Sequence, residues 1–318
     1  MIKELRMPSI KKIGVAGSGT MGSGIGQILA QHGYEVVIVD IEEKFLEVGQ
    51  KIIDTNVTTL KNQDLITPEG IERVKKNISF STSKEEFRDC QLIIEAIVEK
   101  LDIKKVFWKE VEAIVSRDCI LASNTSGLSI NAQSEDLQYK DRFIGMHWWN
   151  PPNIIPLIEL IKGDETSQET VDALENLIEK IGKESVVVLK DAPGFIGNRL
   201  QFAVFREALH ILEEGIATAE DIDKAMRFGP GFRYPHIGPL QTADLGGLDT
   251  FYYISSYLFA QLSDRKDVPA LLQEKMDKGE LGTKAKKGFY DYPGEKVTEV
   301  VTKRDEKFFE QLKLSKDK

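Results

Sequence analysis

His147 and Glu159 lie in the stretch GMHWWNPPNIIPLIEL, residues 145–160. An imidazole, with an unperturbed pKa near 6.5, can take and return a proton at neutral pH. Glu159 interrupts an otherwise apolar run, IIPLIELI. Burying an unpaired carboxylate is costly. Glu159 therefore either faces solvent on a half-buried strand or has a buried partner, and His147 is the nearest candidate. In the second case the acid would hold one ring nitrogen as N–H. The other nitrogen would then be free to accept the proton of a secondary alcohol as hydride leaves its carbon. The competing reading is a core histidine beneath two tryptophans, with Glu159 exposed. The chain has three other histidines. His32 precedes Gly33 at a helix C-terminus, where partial positive charge is favourable. His210 is in the middle of a helical pattern. His236, in FRYPHIGP, is a loop residue and the next candidate for a functional role.

GSGTMG (17–22) fits the pattern G-x-G-x-x-G between a predicted strand and a predicted helix, and Asp40 ends the next strand. That context reads as a dinucleotide site. Gly17 permits the tight turn, Gly19 lets the backbone approach a pyrophosphate at the helix N-terminus, and Gly22 lets the helix pack close to the strand. Asp40 would accept hydrogen bonds from the adenosine ribose and repel a 2′-phosphate, favouring NAD over NADP. No arginine follows it; the next residues are Ile41, Glu42 and Glu43. A flavin, or a tight turn with no ligand, are the alternatives. Ligands of open α/β sheets sit beyond the carboxyl ends of the strands. The polar residues there are Glu99 and Lys104, SNTS (123–126), His147 and Asn150. A hydroxyl pair, an amide and an imidazole suit a hydroxyl or carbonyl substrate beside a nicotinamide.

The elements that must position these groups follow from periodicity. KKIGVAG, EVVIVD, ISFSTS, QLIIEAIV, CILASNTS, RFIGMHWW, IPLIELIKG and ESVVVLK read as strands. Helical patterns lie at 18–33, 41–63, 104–116 and 168–182. The alternation predicts a parallel, doubly wound α/β sheet over 1–190. From DAPGFIGNRL onward there are helical patterns and turns without a convincing strand, which predicts an all-helical second domain over 191–318. The ending VVTKRDEKFFEQLKLSKDK reads as a charged, peripheral amphipathic helix.

Bulk properties exclude several functions. The 318 residues exceed one typical core, so two domains are expected. The net charge of −9 disfavours nucleic acid and anionic membranes as partners. Cys90 and Cys119 lack metal-ligand spacing, so no metal is expected, and the pair points to a reducing compartment. MIKELRMPSIKKIGVAG has no apolar core like that of a signal peptide, and no run is long enough to span a bilayer. The expectation is a cytoplasmic protein with a small-molecule substrate.

Taken together, GSGTMGSGI, EAIVE (95–99), SNTS, GMHxxNP (145–151), LIEL (157–160), APGFIGNRL (192–200), EEGIATAEDIDKAM (213–226) and LGTKAKKGFYDY (281–292) resemble the L-3-hydroxyacyl-CoA dehydrogenase family, including bacterial 3-hydroxybutyryl-CoA dehydrogenases. The likeness covers nearly the whole chain. It implies an N-terminal NAD-binding Rossmann domain and a C-terminal helical domain that forms a homodimer. It implies NAD-dependent oxidation of an (S)-3-hydroxyacyl-CoA, with His147 as general base and Glu159 as its partner. Ser126 and Asn198 are implied to bind the substrate oxygens. Gly17, Gly19, Thr20, Met21, Gly22, Asp40, Glu99, Lys104, Ser126, Asn150 and Lys284 are implied to bind the cofactor. Acyl-CoA members usually read HFFNP where this chain reads HWWNPP, and often have glycine where it has Lys286. They also carry a phosphate-binding lysine near the place where this chain has Asn56, Lys61 and Gln63. The loop GPGFRYPHIGPLQTADLGGLD (229–249), with NPPNIIPLIEL, leans toward relatives that oxidise free 3-hydroxy acids, such as L-gulonate dehydrogenase (lambda-crystallin) and carnitine dehydrogenase. In that alternative Arg233 or Lys61 would pair with the substrate carboxylate. A non-catalytic, crystallin-like NAD-binding protein is a third class.

Overall fold

The structure is a computed structural model that describes residues 9–316. The segment MIKELRMP, part of the stretch on which the reading of the N-terminus rests, lies outside the described residues. The chain divides into two compact units: the residues through Ile196 together with the segment from Asp305 onward, and Gly197–Arg304.

The first unit is built on eight strands: β1 (Lys12–Ala16), β2 (Glu35–Val39), β3 (Ile78–Ser81), β4 (Leu92–Glu95), β5 (Ile120–Ser123), β6 (Phe143–Trp148), β7 (Leu157–Lys162) and β8 (Glu184–Val188). Their order across the sheet is β3-β2-β1-β4-β5-β6-β7-β8. The chain order turns back between β1 and β4, which makes the switch point of a doubly wound sheet. Helices α1 (Thr20–Gln31), α2 (Glu43–Asn62), α3 (Pro68–Asn77), α4 (Leu101–Ile114), α5 (Ile130–Gln133) and α6 (Gln168–Lys180) flank it. The central strands are apolar without alternation because both faces are covered; Val36, Val37, Ile38 and Val39 are all buried. In α6, Val171, Leu174, Leu177 and Ile178 recur at helical spacing and are buried, and Ser167 caps the first turn by accepting from the Thr170 amide. Helix α3 has no counterpart in the sequence reading, although its signals are present: Thr67 accepts from the Gly70 amide and Pro68 opens the helix.

The sheet departs from the all-parallel expectation at one place. β7 runs antiparallel to β6, while β8 is parallel to β7. Residues 149–156 are too few for a helical crossover, so the chain can only turn back on itself. That reversal sets His147 directly opposite Glu159 in the register.

The second unit contains α7 (Gly197–Glu213), α8 (Ala219–Phe228), α9 (Pro230–Arg233), α10 (Pro239–Gly246), α11 (Leu248–Leu258), α12 (Ala270–Asp277) and the start of α13 (Lys296–Lys316). Among its described residues only Leu209 and Pro269 are buried. Leu240, Phe232, Leu245 and Tyr252 are each at least 70% exposed. The end of α13 is not the peripheral element that its charges suggest. It belongs with the first unit, and Phe309 is 2% exposed within that unit's core. One aromatic face outweighs the surrounding lysines and acids because those remain solvated on the other side.

Candidate active site

The glycine loop leaves β1 and enters α1. Gly17 has φ of 98°, and a Cβ there would lie 2.6 Å from the Ala96 carbonyl oxygen. At Gly22 a Cβ would lie 1.9 Å from the Gly17 carbonyl oxygen, so strand and helix approach only without a side chain. Gly19 caps α1 without a side-chain hydrogen bond, and the space beside it is open. The amides of the first helical turn, including those of Thr20 and Met21, are therefore available to an anion. At the end of β2, Asp40 Oδ2 accepts from the Ser18 amide and hydroxyl, both at 2.7 Å. Gly17, Ser18, Gly19 and Asp40 line a cavity of about 860 Å³ whose walls include Ile41, Val98 and Ile103. Exposed backbone donors, a carboxylate and apolar walls fit the diphosphate, ribose and adenine of NAD.

Beyond β4 lies an ionic network that sequence reasoning largely missed. Lys104, on α4, is only 1% exposed. It hydrogen-bonds Glu95 and lies 3.0 Å from Glu99 Oε2. Its ammonium thus pairs with two carboxylates. Glu95 also accepts from the Ser123 hydroxyl at 2.7 Å and the Ile97 amide at 2.9 Å. Burial pushes the Glu95 carboxyl up, against the opposing pull of Lys104. Glu99 is half-exposed. Burial would raise its pKa as well, but the Thr125 hydroxyl, the Lys104 ammonium and the Ser126 amide together hold it below the usual carboxylate range. The Ser126 amide donates to Glu99 Oε1 at 2.9 Å, which fixes the turn after β5. Asn124 ties the same turn to β6 by accepting from the Trp148 amide at 2.8 Å. Such a buried acid had only one signal in the sequence: Glu95 stands in the apolar run LIIEAIV, as Glu159 does in its own.

His147 and Glu159 are brought together. Opposite residues of an antiparallel pair project on the same face, and His147 Nδ1 lies 2.8 Å from Glu159 Oε2. His147 is 5% exposed and Glu159 0%. An ionised carboxylate only accepts, so Nδ1 carries the hydrogen and Nε2 is left with a lone pair. The buried charge has further donors: Trp149 Nε1 at 3.2 Å to Oε2 and the Ile196 amide at 3.0 Å to Oε1. That amide is delivered by a sharp bend in which Gly194 and Phe195 have φ of 79° and 51°. Phe195 accepts a conformation unusual for a bulky residue, and its buried ring lies 5.7 Å from that of His147.

The remaining expected residues are dispersed. Asn150 is exposed just past β6. Asn56 and Lys61 are both on α2, Lys61 in its last turn. Five residues apart, they point about 140° from one another around the helix and share no face. In the second unit, Asn198 lies in the first turn of α7, Arg233 ends α9 and is exposed, and Lys284 lines a 660 Å³ cavity with Phe289 and Tyr292. Lys286 has φ of 60°, a left-handed conformation that explains why glycine suits that position.

Residues 12–192 match the family described as 3-hydroxyacyl-CoA dehydrogenase, NAD binding domain, and residues 194–292 match its C-terminal domain. The 5-formyl-3-hydroxy-2-methylpyridine 4-carboxylate 5-dehydrogenase of Mesorhizobium japonicum is 35% identical over 94% of this chain and 96% of its own. A 3-hydroxybutyryl-CoA dehydrogenase of Bradyrhizobium diazoefficiens is 37% identical over 90% of this chain and 97% of its own. Among solved structures, an NAD+-dependent pyridine-carboxylate dehydrogenase of the first kind superposes with a TM-score of 0.89, 33% identity and coverage of 96% and 99%. The (S)-3-hydroxybutyryl-CoA dehydrogenase of Ralstonia eutropha gives 0.75, 37%, 90% and 100%. With both halves of the fold matched, and a buried imidazole–carboxylate pair on the sheet that carries the dinucleotide loop, this NAD-dependent oxidoreductase belongs to the 3-hydroxyacyl-CoA dehydrogenase family.

Proposed function

We propose that the protein oxidises a short-chain (S)-3-hydroxyacyl-CoA to the 3-oxoacyl-CoA, reversibly. The observation that carries this reading is the buried His147–Glu159 pair, with Nε2 left as a proton acceptor. His147 Nε2 takes the hydroxyl proton as the carbon is oxidised. Glu159 keeps the ring in the required tautomer and offsets the charge that forms on it. Bound NAD supplies the hydride acceptor. The amides at Gly17–Gly22 hold its diphosphate and Asp40 its ribose, and Glu99, Lys104, Asn150 and Lys284 are the further cofactor contacts that the family pattern implies. Ser126 and Asn198 hold the substrate oxygens, and Lys61 meets the phosphates of the carrier.

A second reading, oxidation of a free 3-hydroxy acid with Arg233 on its carboxylate, is favoured by two observations. A relative matched along nearly its whole length is named for a pyridine carboxylate, and Asn56 and Lys61 do not share a face. NADH oxidation measured with acetoacetyl-CoA, free acetoacetate and other free 3-oxo acids separates the two. The first reading expects the highest kcat/KM with acetoacetyl-CoA; a free acid outperforming it transfers the assignment to the second.

We also infer that the second unit pairs with a second copy of the chain. A unit with two buried residues and many exposed aromatic and leucine side chains has little core of its own. A surface of that kind marks an interface.

A further inference from the structure

We propose that Trp149 is a positioning residue for proton transfer, acting through its indole N–H on Glu159. The inference rests on the reading of His147 and Glu159 as the proton-transfer pair. A carboxylate's terminal torsion is soft and roughly two-fold, so one hydrogen bond from His147 does not fix the plane of the Glu159 carboxylate. The Ile196 amide engages Oε1 at 3.0 Å, whereas Trp149 Nε1 approaches the same oxygen as His147, Oε2, at 3.2 Å. Donors on both oxygens set the plane, and the indole adds a second anchor at the atom that faces the imidazole. The Trp149 ring also lies 5.7 Å from that of His147, tilted by 50°, and Phe195 is a second aromatic neighbour at 5.7 Å. Both rings crowd the imidazole, but of the two only Trp149 carries an N–H to the acid.

The other tryptophans do not share this chemistry. Trp108 Nε1 donates to the neutral amide of Gln133 at 3.4 Å, and buried Trp148 Nε1 has no partner. Trp149 alone of the three places its indole on a carboxylate.

The test is Trp149→Phe, which keeps an aromatic ring and removes the N–H. With acetoacetyl-CoA and NADH, kcat should fall about tenfold, as expected for loss of a hydrogen bond to a charged group. KM and the Kd of NADH should stay within about twofold, because the bond is felt in the proton-transfer step. Wild-type kcat in Trp149→Phe, or a rise in KM alone, overturns the proposal; the latter would make Trp149 a wall of the substrate space. His147→Gln is the control: if that variant keeps full turnover, the proton-transfer reading itself fails, whatever Trp149 does. A measurement on folded protein stands beside the kinetics. Of the three indole ¹⁵N–¹H signals, the one that vanishes in Trp149→Phe should be the farthest downfield in the wild type and should move upfield in Glu159→Gln. An unmoved signal in Glu159→Gln rejects the bond.

Discussion

At Asp40 one carboxylate has two roles. Its Oδ2 accepts from the Ser18 amide and hydroxyl, which holds the glycine loop against the end of β2. In the proposed cofactor site the same group meets the ribose, where a 2′-phosphate would have to approach, with Glu42 and Glu43 following it and no arginine to compensate. Like charge at that distance is worth a few kcal/mol, so NAD should be preferred over NADP by at least about tenfold in kcat/KM. Asp40→Ala should narrow that ratio even as it loosens the loop and lowers activity with both cofactors. Equal turnover of the wild type with NAD and NADP would remove Asp40 from the ribose. Asp40, the glycines, His147 and Glu159 were legible in the sequence because each breaks a local pattern: an acid ending an apolar strand, glycines at fixed spacing, a carboxylate inside a core run. Trp149's N–H and the Glu95–Lys104 pair were not. An indole in an aromatic stretch looks like packing, and a lysine in an amphipathic helix looks solvated until its partner across the fold is known.

At the scale of elements, strands and helices of the first unit follow closely from apolar runs bounded by glycines and caps. The direction of β7 did not, since an apolar run carries no sign of its polarity. The clue was the shortness of residues 149–156, which forbids a crossover. The role of α13 was equally hidden. Its apolar residues are few, and nothing local shows that Phe309 reaches the sheet domain's core. Phe309→Ala should destabilise the protein by about 3–5 kcal/mol, the usual range for a buried aromatic. Denaturant unfolding followed by far-UV circular dichroism would read this directly. A change of less than about 0.5 kcal/mol, typical of surface positions, would return α13 to the periphery.

At the scale of the molecule, the sheet unit holds two extensive buried clusters while Gly197–Arg304 buries little beyond Leu209 and Pro269. Helices alone are marginal in water, so a second copy should supply the missing burial. Sedimentation at micromolar concentration should report a dimer. Leu248→Asp, at a position 62% exposed in the single chain, should dissociate it and lower helicity. A wild-type monomer at that concentration rejects the inference. The helical character of this unit was readable from its patterns, but its lack of a core was not, because burial depends on what packs against each face. In the proposed reaction the buried imidazole–carboxylate pair moves the substrate proton. The decisive measurement is kcat for His147→Gln with acetoacetyl-CoA and NADH, alongside Glu159→Gln and the double variant. Either single change should lower it by roughly 10²–10⁴, the double variant little more, with NADH affinity unchanged. Turnover at the wild-type rate in His147→Gln would contradict that role.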